Sequence, residues 1–199
     1  MSATSVLRRE HDHILSMIAC LRAACAAART TGGLDEETFR AGIDFIRSYA
    51  DAWHHAKEED HLFPALVADG MPADGGPIAV MLHEHGMGRN YAKQIASQLD
   101  DAIAGNETAI ASVLGNTLAY ADLLTGHIGK ENGILFNMAD QMLSPETQAA
   151  LEQNYENAIP AGADASTGAH YEEVVAAMCR KWNVDPKEAA RLGTNFTCG

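Results

Sequence analysis

The sequence predicts an all-α protein, an up-down-up-down four-helix bundle with a short C-terminal helical extension. Three observations predict it. Apolar residues recur at helical spacing almost throughout, with no strand-like alternation. Turn-rich breaks separate four long amphipathic segments by short links, which suits neighbouring helices in a bundle. The second pair of segments also repeats the first.

The first helix is read from about Thr4 to Thr30 and is ended by Gly32-Gly33. Asp35 caps a second helix running to about Ala68. The stretch GMPADGGP, Gly70 to Pro77, is a break. A third helix runs from about Pro77 to Ala104, and Asn106 caps a fourth that reaches about Leu143. Gly115, Gly126, Gly129 and Gly133 each weaken the fourth helix by up to about 1 kcal/mol relative to Ala. They are also candidates for close helix approach. Ser144-Pro145-Glu146 opens a fifth helix, a capping Ser followed by Pro at the first helical position. AGADASTG, Ala161 to Gly168, reads as a small-residue linker. A last helical piece covers about Ala169 to Trp182, and Asp185-Pro186 opens one more turn. The bundle is therefore assigned to residues 1–143 and the extension, packing on it, to residues 144–199.

A chain of 199 residues, 47% hydrophobic, can bury a sizeable core. No apolar run approaches the roughly 20 residues of a membrane helix, and the N-terminus carries no signal-peptide core. The expectation is a cytoplasmic protein with no membrane partner. A net charge of −13 argues against nucleic acid, whose binding needs basic surface. The four cysteines form no CxxC pair, and reduced thiols are expected.

The histidines carry the chemistry. A lone His on a helix is ordinarily a surface or core residue, so the test is whether several share the apolar faces of their helices. At about 100° per residue, His11 shares a face with Leu7, Ile14, Leu15 and Ile18, whereas His13 does not. His54, Glu58 and His61 continue the stripe of Ile43, Ile46, Ala50 and Ala65, with His55 and Glu59 on the flank. His85 joins Ile78, Met81, Leu82, Ala92 and Leu99, and His83 points away. His127 and Glu131 sit among Tyr120, Leu123, Leu124, Ile134 and Met138. Each of four helices thus turns one His to the core, and two add a Glu one turn later. Buried unpaired carboxylates are costly. Two carboxylates and four imidazoles converging on one core call for cations or a dense hydrogen-bond network. In HxxxE the side chains leave adjacent turns about 6 Å apart along the axis. The His can then bind one ion while the Glu reaches a second.

The chain also duplicates itself. HHAKEEDHLF (His54 to Phe63) resembles HIGKENGILF (His127 to Phe136) at an offset of 73, and Glu10-His11 matches Glu84-His85 at an offset of 74. A pseudo-twofold axis would pass between two metals.

These motifs resemble the hemerythrin-like family, the HHE cation-binding domain, over about residues 5–143. The matching elements are Glu10-His11, His54-x-x-x-Glu58 with Leu62-Phe63-Pro64, Glu84-His85, and His127-x-x-x-Glu131 with Leu135-Phe136. The resemblance implies a non-haem centre of two Fe ions. His11 and His54 would bind one and His85 and His127 the other. Glu58 and Glu131 would bridge them, with an oxo or hydroxo group between. Imidazole and carboxylate donors also suit Mn or Zn, and iron rests on the resemblance. The oxygen-carrying hemerythrins have HxxxH on the third helix and HxxxxD on the fourth. Here Arg89 follows His85 by four, and Glu131 follows His127 by four. That pattern is similar to the bacterial iron-centre repair proteins and the eukaryotic iron-sensing F-box domain. His61, three after Glu58, is a seventh candidate ligand or a pocket residue. Arg89 is read as pointing inward onto a carboxylate, and Tyr120 as a core residue.

Three functions follow as expectations. One is a protein that binds O2 or a related small molecule, or senses iron or redox state. The second is a di-iron oxidoreductase acting on peroxide or nitric oxide, or in iron-centre repair. The repair proteins carry an N-terminal cysteine-bearing domain, which a first helix starting near Met1 leaves no room for. The third is a bundle that metal merely stabilises. A redox partner and a homo-oligomer are compatible with all three.

Overall fold

The computed structural model describes residues 2–157 and 166–194. Every regular element among them is helical: α1 (Ala3–Thr31), α2 (residues 36–68), α3 (Gly76–Ile103), α4 (residues 107–142), α5 (Pro145–Asn157), α6 (Thr167–Trp182) and α7 (Pro186–Ala190), followed by a 3₁₀ turn at Arg191–Thr194. The local signals behave as their chemistry requires. Gly32 closes α1 in the left-handed conformation (φ 78°), which only a residue without Cβ adopts freely, and its N–H bonds the Ala28 carbonyl. The Asp35 carboxylate accepts from the Thr38 N–H at 2.9 Å, and the Asn106 side chain accepts from the Ala109 N–H at 3.0 Å. The expected linker, Ala161 to Gly168, lies mostly outside the described residues, as does Cys198.

Contacts between the four long helices climb one while descending its neighbour. Thr4 meets Asp140 and Arg22 meets Asp122 between α1 and α4. His13 meets Tyr49, and Leu21 meets Gly42, between α1 and α2. Arg89 meets Asp51, and Asp100 meets Arg40, between α3 and α2. The core forms three apolar layers. Leu7, Leu62, Met81 and Phe136 belong to one, Ile14, Ile18, Tyr49 and Leu124 to the next, and Phe39, Leu99 and Val113 to the far one. His11 falls between Leu7 and Ile14 along α1. The polar cluster is therefore sandwiched between two water-excluding layers.

The C-terminal elements cover the bundle. Leu151 and Tyr155 of α5 join the layer of Leu7, and Tyr171, Val175 and Met178 of α6 join that of Ile14. The turn after α7 sets Gly193 against Leu15 and Ile128. The Cys20 and Cys179 sulfurs lie 3.8 Å apart as free thiols, and burial pushes both thiol pKa values up.

Several facing assignments are corrected. Leu82 and Ile134, read as core, are exposed, since neither α3 nor α4 is buried all round. Arg89 is exposed as well, its guanidinium held by Asp51 and Glu59 rather than turned inward. Gly115, Gly126 and Gly133 face open space, so close approach does not explain them. Contrary to the reading of the first segment, α1 is long and apolar enough by length and composition to cross a membrane. Its apolar face is the bundle core.

Candidate metal centre

Part of the site backbone is π-helical. Ile46–His55, Glu58–Leu62 and Glu131–Leu135 all wind in this wider form. Two of these stretches occupy equivalent places in the duplicated halves. The i→i+5 bond takes more residues per turn than the α-helix and is frequent at functional sites. Its consequence is direct. Around His55 the rotation per residue is less than the α-helical value, so neighbouring side chains separate less. His55, assigned to the flank from α-helical spacing, is buried beside His54. Glu59, assigned to the same flank, reaches His85.

Two groups of buried donors result. One joins His11, His54, Glu58 and Glu131; the other joins His55, Glu58, His85 and His127. In each, one donor atom per residue lies within 4.8 Å of the others. All six principal residues expected from the sequence are brought together. His61 is in neither group: it is half-buried, its ring 6.1 Å from that of Tyr155.

The carboxylates stand between the groups. Glu58 sets Oε1 3.5 Å from His54 Nε2 and Oε2 3.4 Å from His85 Nε2. Glu131 Oε2 lies 3.2 Å from both His11 Nε2 and His127 Nε2. Both Glu side chains are 0% exposed.

Every one of the four principal imidazoles is oriented from behind. His54 Nδ1–H donates to Glu10 Oε2 at 2.9 Å, and His127 Nδ1–H donates to Glu84 Oε2 at 2.9 Å. His85 Nδ1–H donates to Glu59 at 2.6 Å, and His11 Nδ1–H to the Asn132 side-chain oxygen at 2.9 Å. Lys57 and Lys130 in turn ion-pair with Glu10 and Glu84. The outer partners obey the same internal repeat as the donors: Glu10/Glu84 share the offset of 74, and Lys57/Lys130 and Glu59/Asn132 that of 73. Each Nδ1–H is committed outward, which fixes the tautomer and leaves Nε2 as a lone pair facing inward.

Among the described residues those inward lone pairs have nothing to bind. His11 Nε2, His54 Nε2, His55 Nε2 and both oxygens of Glu58 and of Glu131 make no hydrogen bond there. The Nε2 atoms of His85 and His127 approach to 3.1 Å with both Nδ1 protons already donated. Burial works against a proton on the inward imidazole nitrogens. Burial lowers the pKa of His54 and His55 well below the ordinary imidazole value, and that of His85 in the same direction. Burial, then the charge of Glu131, drives Glu58 upward. Buried polar atoms without partners are rare and call for an explanation. Metal cations fit this donor set: neutral imidazole nitrogens and carboxylate oxygens, oriented by outer hydrogen bonds and closed off by apolar layers.

A helical bundle whose core is built of HxxxE pairs and single histidines, turned inward as metal donors, defines a class. Residues 2–139 match the hemerythrin HHE cation-binding domain, and the chain belongs to that family. No curated protein and no solved structure matches it.

Proposed function

We propose that the chain holds two iron ions with an oxo or hydroxo bridge and uses them to bind or react with O2 or a related small molecule, or to sense iron or redox state. His11 and His54 hold one ion, His85 and His127 the other, and Glu58 and Glu131 span the pair. The single observation that carries this reading is Glu58: its two oxygens turn to opposite histidine pairs, and neither has a hydrogen-bond partner among the described residues. Bound iron supplies redox chemistry towards O2, peroxide or nitric oxide. The protein's own residues fix imidazole orientation through Glu10, Glu84, Glu59 and Asn132 and exclude water with Leu7, Phe136, Ile14 and Leu124.

An oxidoreductase is the second reading, and Arg89 favours it over reversible oxygen carriage. The position that in oxygen carriers supplies a further histidine is here turned outward to Asp51 and Glu59. The test is elemental analysis, followed by O2 and then peroxide added to the anaerobically reduced protein while the visible spectrum is recorded. Two irons per chain with rapid oxidation and peroxide turnover support the enzyme. A stable spectrum reversed under vacuum supports binding or sensing. Less than one metal per chain contradicts both.

A further inference from the structure

The duplicated halves differ beside the two donor groups. On the first side, Leu15 and Ile128 are fully buried, and the turn carrying Gly193 is packed onto them. The equivalent positions on the second side are Arg89 and His55. Ile14 and Ile18 become Gly88 and Ala92, and Leu124 corresponds to Asp51. Bulky apolar residues are thus replaced, position by position, by small or polar ones. The groove that α7 and its turn fill between α1 and α4 has as its counterpart, between α2 and α3, a cavity of about 710 Å³.

His55 belongs to both this cavity and the second donor group. Its ring stacks on that of His85 at 3.8 Å, its Nδ1 contacts Asp51 at 3.3 Å, and its buried Nε2 has no hydrogen-bond partner. The volume is that of a site for an organic molecule, far larger than a diatomic gas needs. Its lining is selective. Ile46, Ala92, Ala96 and the buried Tyr120 supply apolar wall; of the three cations there, Arg89 is held by Asp51 and Glu59, while Arg47 and Lys93 stand exposed beside it. That is a local excess of cations in a chain of net charge −13.

We infer that the cavity between α2 and α3 is a binding site for a small organic carboxylate with an apolar body, held beside the second metal with His55 as the floor. The inference deepens the proposed function and rests on it for what the neighbouring ion does. Occupancy of the cavity itself is a separate observable. Arg47 and Lys93, both exposed, meet the carboxylate, and the apolar wall meets the body.

The test uses the full metal-loaded chain with 4-phenylbutyrate and its neutral amide as probes, by titration calorimetry with metal content measured in parallel. The acid is expected to bind about tenfold more tightly than the amide, the worth of one charge-assisted hydrogen bond. Ala92→Ile, which installs the residue found at position 18, is expected to abolish binding of both probes with metal content unchanged. A surface pair that leaves the cavity volume unchanged, Arg47→Gln with Lys93→Gln, is expected to bring the acid down to the affinity of the amide. No binding of either probe, equal binding of both by the parent, or undiminished binding to a folded Ala92→Ile protein overturns the inference. Probe binding by a chain that holds no metal would sink the metal reading and leave the cavity site standing.

Discussion

Glu58→Ala is expected to leave the protein with almost no bound metal after desalting, where the parent retains two ions. The reason is geometric. Glu58 is the one residue common to both donor groups, with one oxygen directed to each. On the proposed two-ion reading, its removal would take a carboxylate from both ions at once and leave each with neutral imidazoles and Glu131. Glu59→Ala is the informative contrast. Glu59 touches no inward donor atom; it holds His85 Nδ1 and Arg89. Loss of such an outer partner costs about 10–100-fold in affinity, and here it falls on the second ion alone. Elemental analysis and metal titration of the two variants separate the cases. A Glu58→Ala protein that keeps both ions contradicts the bridging assignment.

The second large effect is on folding. Glu10→Ala is expected to destabilise the protein by about 3–5 kcal/mol, the cost of breaking a buried ion pair by removing one partner. Glu10 accepts from Trp53 Nε1 at 3.0 Å, from His54 Nδ1, and from Lys57, whose ammonium is almost fully buried. Burial pushes the Glu10 carboxyl up and the Lys57 ammonium down, each against the other's charge. Without Glu10, Lys57 keeps the burial penalty and loses its counterion. The pseudo-equivalent Glu84→Ala is expected to cost less. Lys130 is a quarter exposed and can reach water, and no tryptophan shares the Glu84 carboxylate. Urea unfolding of both metal-free variants measures the difference. Equal losses would show that the two halves bury their ion pairs alike.

Much of this site was legible because its donors obey helical spacing. His54 with Glu58, and His127 with Glu131, lie one turn apart on stripes that are otherwise apolar, and the internal repeat pairs them. The repeat also displayed Glu10, Glu84, Lys57 and Lys130, but sequence does not show that a glutamate on one helix supports a histidine on the next. That relation exists only once α1 lies beside α2 and α3 beside α4. His55 was misplaced for another reason. Its assignment assumed α-helical rotation, and the backbone there winds as a π-helix. Nothing in single-residue pattern announces that change of pitch. Leu82 and Ile134 failed in the opposite sense, being apolar residues on outward faces, a common occurrence since much folded surface is apolar. The cavity at His55 was visible only as substitutions between the halves, Ile14 to Gly88 and Ile18 to Ala92. Their meaning needed the packed C-terminal turn on the other side.

Anomalous-scattering crystallography of the iron-loaded chain addresses the central claim directly. Two separate peaks are expected inside the bundle, one among His11 and His54 and the other among His85 and His127, with Glu58 and Glu131 between them. A single peak, or inward donors gathered around water alone, would contradict the account.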